Sequence, residues 1–596
     1  MSPNAAMPNV RDFFVLAPEI VLAAWGLLVL MVDIGWLRGR SNTRRRQATG
    51  GLALLGTLAA LVAACWPLVV RYDLFGAGSA LNFTGIDYAR DPDPFLLFGT
   101  ISGDLLTETF NLLYVLLLAL VVGMSMAWSF TEEWGEYFAL LFWSTVGMML
   151  LTASEELLTL FLTLETMTIC LYLCTAFEKA RRRSAEGGLK YFIYGSVSSA
   201  LFLFGLSLVY GLTGSTQFDA IRQAVLPTSG TKGGLSGNIA GASAVLLMMV
   251  GFGFKVAAVP FHQWAPDAYE GAPAPVTAWI ATGSKMASFV ALMKVLLHAL
   301  GPWANPLESV ARPGWIGIVV VLSAASMTFG NFAALAQRNL KRLLAYSSIA
   351  HAGYMLVGVA AAGLSMRHEE SAGSVLFYLV VYAFTNLGAF AVAAWLARDK
   401  GTDDIDDLNG LGFRYPLLAT CILLLMLSLI GMPPLAGFFG KLYMFMEALN
   451  EENPGRLTLL WLVGLGLLNS AISAFYYVRV LKAMFLRDPT RGVLAPASSA
   501  IAVPIVLATA VVIAAGVYPD PLVNLMKGAA IPMLSSSGLI GIEGTPSAPH
   551  RGMPRGAPPA PSPASPARPD EAPGAKPSGT PEQTPPAPMP VANPTR

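Results

Sequence analysis

Fourteen apolar runs of membrane-spanning length constrain this chain more than any other feature. They lie near residues 12–36, 49–70, 105–129, 135–153, 156–177, 189–212, 241–261, 276–300, 315–335, 343–363, 374–397, 415–446, 457–484 and 499–518. A helix needs about 20 apolar residues to cross the hydrocarbon core of a bilayer. Inside that core every backbone amide and carbonyl must find its partner within the protein. The fold class is therefore an all-α polytopic membrane protein. Charged residues make up 13% of the chain, about half the share usual for a soluble protein. The net charge of +1 gives no footing for a nucleic-acid partner; the lipid bilayer is the expected surroundings. Cys65, Cys170, Cys174 and Cys421 all fall in apolar runs and read as small helix residues, not as disulfides or metal ligands. The N-terminal MSPNAAMPNVRDFF lacks a basic region and a clear cleavage site, so no cleaved signal peptide is expected.

Orientation follows from the basic residues of the short loops. RGRSNTRRR, EKARRRSAEGG, QRNLKR, RDKG and RDPTR follow runs 1, 5, 9, 11 and 13. The basic loops thus follow odd-numbered runs, which puts the N-terminus outside and, after an even count, the C-terminus outside as well. Two runs are interrupted. The seventh passes into GFGFKVAAVPFHQWAPDAYEGAPAPV over residues 251–276, and the twelfth contains GMPPLAGFFGKLYMF. Proline removes a backbone donor and clashes with the preceding helical turn, and such breaks in corresponding places mark repeats with sites between them. Helices 4–8 and 9–13 are accordingly read as two inverted five-helix repeats with broken helices 7 and 12. The expected organisation is 1–130 for helices 1–3, 131–300 for the first repeat, 301–485 for the second, and 486–535 for the last transmembrane helix. Residues 536–596 are rich in Pro, Ala, Ser and Gly and read as a disordered tail.

With charge so scarce, the ionisable residues inside apolar runs carry the functional signal. Glu165 lies near the centre of run 5, Lys255 and Lys441 beside the two breaks, and Lys285 inside run 8. A central charge costs roughly 2.5–3.5 kcal/mol on insertion scales, so such residues mark an ion path. A lysine and a carboxylate at variable distance form a device for loading and unloading a proton without a cofactor. Lys190 and Lys294 stand near the ends of their runs. Lys190 divides evenly between function and a side chain snorkelling to the head groups; snorkelling is the expectation for Lys294. His262 follows the first break and reads equally as a proton relay or as a structural loop residue. For His351, in LAYSSIAHAGY, the reading is a hydrogen bond between helices. DDIDDLNG after run 11 reads as a solvated acidic loop. The chain has no G-x-x-x-x-G-K-[ST] phosphate loop and no CxxC array for iron and sulfur.

GFGFKVAAVPFHQWAPDAYEGAPAPVTAWIATGSK, GNFAALAQRNLKRLLAYSSIAHAGYMLVG and GMPPLAGFFGKLYMF, in that order, resemble the hallmark segments of the antiporter-like subunits of respiratory complex I. The resemblance covers about residues 12–530 and favours the subunit N branch. A lysine at the Lys441 position fits that branch, whereas subunit M carries a glutamate there, and the lateral helix of subunit L is replaced here by the Pro/Ala tail.

The resemblance implies proton translocation in NADH–quinone oxidoreductase, a translocase whose redox reaction lies in other subunits. Glu165 and Lys255 match the family's ion pair, Lys285 the central lysine of helix 8, Lys441 the helix-12 residue, and Lys190 a lysine at the start of helix 6. It implies no cofactor in this subunit, with FMN, iron–sulfur clusters and quinone on others. Neighbouring membrane subunits such as M and K are the implied partners, and a bacterial inner membrane the implied location. A multisubunit Na⁺/H⁺ antiporter or a membrane-bound hydrogenase would use the same fold and lysines. A plain membrane anchor would leave the four mid-membrane charges unexplained.

Overall fold

The computed structural model describes residues 10–72, 95–96, 99–225, 239–305, 314–488 and 494–535. The tail at 536–596 lies outside the described residues. Among them, thirteen helices are long and apolar enough to cross a membrane. We number the spans α1 (Ala17–Leu37), α2 (Asn42–Arg71), α3 (Leu105–Ser125), α4 (Trp134–Ala153), α5 (Leu157–Thr175) and α6 (Arg182–Thr213). The first break splits α7 into α7a (Ile239–Lys255) and α7b (Trp264–Gly271). There follow α8 (Ala274–Ala299), α9 (Trp315–Leu335), α10 (Leu340–Leu364) and α11 (His368–Lys400). The second break splits α12 into α12a (Pro416–Ile430) and α12b (Ala436–Leu449). Then come α13 (Arg456–Leu486) and α14 (Ser499–Val517). Counting each broken helix as one crossing recovers the fourteen expected spans. One difference lies at the end: the segment expected to hold a single last helix carries a second, Asp520–Ser535, packed against α11. Its proline, lysine and lower apolar content hid it in the sequence. The only pairing of strands among the described residues is a two-residue antiparallel ladder, Phe95–Leu96 with Ile101–Ser102.

Helix ends follow local chemistry. Asp104 and Asn339 cap α3 and α10 by accepting from the amides of Thr107 and Arg342. Both breaks keep their backbone partnered. At the first, the amide of Ala258 bonds the carbonyl of Gly253 at 2.7 Å, the amide of Val259 bonds Ser326 Oγ at 2.9 Å, and Trp264 Nε1 bonds the carbonyl of Phe254 at 3.0 Å. Ala257 takes the left-handed region there, φ 58°, a conformation that persists only where neighbours fix it. At the second break Gly431 has φ 90°, and Gly437 lets α12b approach α12a so closely that a Cβ would lie 2.0 Å from the carbonyl oxygen of Ser428.

Helices 4–8 and 9–13 each place a broken helix fourth. Five crossings put the start of the second set on the face opposite the start of the first, so the two sets are inverted. Their junction is the core: α8 and α11 are buried along their whole apolar length and α10 nearly so. Outer helices such as α2, α6 and α13 instead expose large apolar side chains, among them Leu55, Phe192 and Phe475, as a lipid-facing surface requires. The loops after α5, α9 and α11 gather at one end, where Arg181 meets Asp403 and Arg342 meets Asp267 and Glu270. The loops after α4 and α6 meet at the other, through the bridge of Glu156 with Gln217.

A buried line of ionisable groups

Lys255 ends α7a where the helix must stop, and only 6% of the residue is exposed. Its ammonium donates to Thr168 Oγ1 at 2.6 Å and lies 3.6 Å from Glu165 Oε1, both on α5. Glu165 accepts a 2.5 Å bond from Ser199 on α6, and its side chain stays 22% exposed; Lys255 and Ser199 line a small cavity with Phe161, Ser198, Phe202 and Gly251. The pair expected from the resemblance is therefore present but loosely closed: Lys255 holds a hydroxyl more tightly than the carboxylate. The rings of Phe254 and Tyr172 lie 5.4 and 5.9 Å from its nitrogen, stabilising the cation further.

Lys285 follows a π-helical turn, Ile280–Ser284, within α8. Such turns turn side chains out of the regular register and recur at functional sites. It is 2% exposed and donates to the carbonyl oxygen of Ser348 at 2.7 Å and to its hydroxyl at 2.5 Å, on α10. Among the described residues no hydrogen bond or ion pair joins Lys285 to Lys255. Lys441, near the start of α12b, reaches back across the break and donates to the carbonyls of Leu429 and Ile430 at 3.0 and 2.9 Å and to Ser470 Oγ at 3.0 Å. It thereby caps the C-terminus of α12a, where helix carbonyls lack partners and a cation is favoured.

Between these two lysines stands His351, which sequence reasoning left as an inter-helix contact. That contact is present. Its Nδ1 lies 2.6 Å from the hydroxyl of Tyr378 on α11 and its Nε2 lies 3.2 Å from that of Tyr477 on α13. Tyr382 sits 5.5 Å from the Lys285 ammonium and 5.3 Å from the His351 ring, and Tyr354 sits 4.9 Å from Lys441 and 5.6 Å from His351. A helical spacing signal was available: Ser347, Ser348, His351 and Tyr354 share one face of α10. What the sequence lacked was the partner helix.

Lys190 and His262 fall elsewhere. Lys190 bonds Glu186 and Asp267, each at 2.7 Å, with a side chain 40% exposed, beside a cleft of about 170 Å³ lined by Arg183, Glu186, Asp267, Glu270 and Arg342. The next residue, Tyr191, stacks on Trp264 at 4.1 Å and meets Tyr172 edge-on at 4.6 Å, which leads towards Lys255. His262 is buried against Phe329 with ring centroids 4.6 Å apart. Two sequence expectations need correction. Lys294 does not snorkel: it is wholly buried and paired with Glu155 at 2.6 Å, because α8 is enclosed by protein right to its end. DDIDDLNG is not simply solvated, since Asp403 is 4% exposed and meets Arg181 and Lys341.

Residues 154–473 match the family described as NADH:quinone oxidoreductase/Mrp antiporter, transmembrane. The chain belongs to that family. Within the NADH:quinone oxidoreductase/Mrp antiporter family it resembles subunit N. It is 37% identical over 532 residues to NADH-quinone oxidoreductase subunit N of Desulfitobacterium hafniense, covering 87% of this chain and 98% of that one. It is likewise 37% identical to F(420)H(2) dehydrogenase subunit N of Methanosarcina mazei, over 88% of this chain and 99% of that one. Among solved structures, a chain of respiratory complex I from Thermus thermophilus superposes with a TM-score of 0.66 at 31% identity, covering 86% of this chain and 99% of that one. The Mrp complex of Dietzia sp. shares the fold at 19% identity, with a TM-score of 0.70 and 89% and 99% coverage. The expected family, fold class and likeness to subunit N are thus borne out.

Proposed function

We propose that this chain is the proton-translocating subunit N of an NADH–quinone oxidoreductase, a multi-pass membrane subunit of a multisubunit complex. The line of buried groups from Glu165 and Lys255 through Lys285 and His351 to Lys441 carries that reading. Three lysines enclosed by protein and a partly exposed glutamate, with hydroxyls and a histidine with both nitrogens engaged beside them, make a path for protons. A proton taken up at the end where the basic loops gather would reach the Lys255 region, load Lys285, and pass by way of His351 towards Lys441. Opening or closing the 3.6 Å Glu165–Lys255 contact changes the charge inside α7, and so biases whether its neighbours hold a proton. Lys190, with Asp267 and Arg342, would collect protons at the mouth. His262 would line the first break.

On this reading NADH oxidation and quinone reduction belong to other subunits, with FMN, iron–sulfur clusters and quinone bound there and no cofactor in this one. Subunit M and small subunits such as K would flank it in a bacterial inner membrane. The likeness to an F(420)H(2) dehydrogenase subunit supports a second reading that differs only in electron donor. Purification in mild detergent tests both. Copurified flavin and iron–sulfur subunits with quinone-linked NADH oxidation are expected; oxidation of reduced F420 instead selects the second reading. Small antiporter subunits without any redox partner would overturn both.

Lys190→Ala is expected to leave assembly unchanged, because a half-exposed ion pair contributes at most about 1 kcal/mol. Pumping should slow by less than in Lys255→Ala. Initial rates of dye quenching in sealed vesicles check the order of the two.

A further inference from the structure

A second group of ionisable side chains lies at the end of the molecule opposite the Lys190 cleft, apart from the line described above. Lys294 is wholly buried in α8 and donates to Glu155 Oε1 at 2.6 Å and to the carbonyls of Thr152 and Ser154 at 2.9 and 3.3 Å. The other carboxylate oxygen of Glu155 faces His298 Nδ1 at 3.6 Å, and His298 Nε2 lies 2.8 Å from Asp219 Oδ1. Ser102 Oγ also donates to Glu155, at 3.0 Å, and the backbone oxygen of His298 accepts from Arg222 at 3.3 Å. Side-chain exposure runs along this series from 0% at Lys294 through 9% and 2% at Glu155 and His298 to 57% at Asp219. Asp219 stands on the short helix Phe218–Val225, between α6 and α7a. The hydrogen bond from His298 holds its carboxyl below the usual value, so it stands ionised and gives up a proton readily to water. A second π-helical turn, Lys294–Ala299, sets Lys294 and His298 in this register.

A purely structural pair would bury Lys294 and Glu155 and stop there. Here each successive group faces the next, and the last one reaches solvent. We propose that Lys294, Glu155, His298 and Asp219 form a proton outlet on the outer face of the membrane, serving the first five-helix repeat. The proposal rests on the proton-translocating reading above. In each passage the Lys294 ammonium gives one proton to Glu155 Oε1. The Glu155 carboxyl turns to present that proton to His298 Nδ1, which takes it as the imidazole releases its Nε2 proton to Asp219 Oδ1; Asp219 releases it to water, and a turn of the imidazole restores the starting tautomer. One proton enters and one leaves; Lys294 is reloaded from the interior, where Lys285 precedes it by nine positions on α8, about 13 Å along a helix.

The test uses the intact complex in sealed vesicles, with a native gel and NADH–ferricyanide activity as assembly controls. Dye quenching is read per NADH oxidised, beside Lys285→Ala. His298→Phe and Asp219→Asn are expected to lose part of the pumping that Lys285→Ala loses, because the branch towards Lys441 remains, and Asp219→Glu to keep it. Asp219 is at the surface, so its replacement requires no repacking. The paired variant Lys294→Met/Glu155→Leu exchanges a buried ion pair for apolar side chains of similar size, a change proteins tolerate, and is expected to assemble yet pump poorly. Full pumping by Asp219→Asn and the paired variant, with loss in Lys285→Ala, overturns the outlet alone. Full pumping by Lys285→Ala, Asp219→Asn and the paired variant alike overturns the proton-translocating reading itself, and the outlet with it.

Discussion

Lys285→Ala is expected to lower NADH-driven proton pumping while the complex still assembles. The side chain is enclosed by α8, α10 and α11 and, among the described residues, hydrogen-bonds to Ser348 alone, so removing it would delete the proposed proton carrier without breaking an ion pair. No other protonatable nitrogen bonds Ser348 among the described residues, and no substitute is at hand. Raising the transfer barrier by as little as about 1.4 kcal/mol slows passage tenfold, and loss of the carrier raises it further. The structural cost is that of a cavity and an unpaired hydroxyl, about 1–3 kcal/mol, which a buried helix in a large assembly absorbs. Pumping per NADH in sealed vesicles, with NADH–ferricyanide activity unchanged, checks the expectation. A vesicle preparation that pumps at the unaltered ratio removes Lys285 from the path.

The lipid-spanning runs and both breaks were legible because hydrocarbon punishes every departure from a helix. Boundaries of α9 and α14 coincide with the apolar runs to within a residue. Glu165, Lys255, Lys285 and Lys441 were legible for the same reason, as charges whose cost demands an explanation. What the sequence could not supply is which helix faces which. Lys294 and Glu155 lie 139 positions apart, and nothing in either local segment announces the other. Lys294 looked like an end-of-span residue because its run ends in proline and glycine. The fold decides otherwise by closing Trp303 and the helix Asp520–Ser535 over that end. His351 was ambiguous for a related reason: a histidine on an apolar face signals a hydrogen bond, but only Tyr378 and Tyr477, from two other helices, turn it into a link between lysines.

Lys441 separates proton carriage from helix capping. Lys441→Met removes both roles. Ile430 would keep the 3.1 Å bond from Ser470 Oγ, but the carbonyl of Leu429 would lose its partner in the middle of the membrane, at about 1–3 kcal/mol. Lower assembly and lost pumping are therefore expected together, and the variant alone cannot apportion them. Lys441→Arg can. A guanidinium keeps the positive charge at the end of α12a and offers five donors to the same carbonyls, yet it does not release a proton at any working pH. The added bulk faces Gly431, whose missing side chain leaves room beside the Lys441 nitrogen. Lys441→Arg is expected to assemble as the unaltered chain does, with the same thermal midpoint within a few degrees, and to pump at least about tenfold more slowly, a barrier higher by about 1.4 kcal/mol. If it pumps normally, a fixed charge suffices at this position and Lys441 acts by holding the two halves of α12 together. If it assembles but does not pump, the proton itself must leave the Lys441 nitrogen, and the cap on α12a is then remade in every cycle.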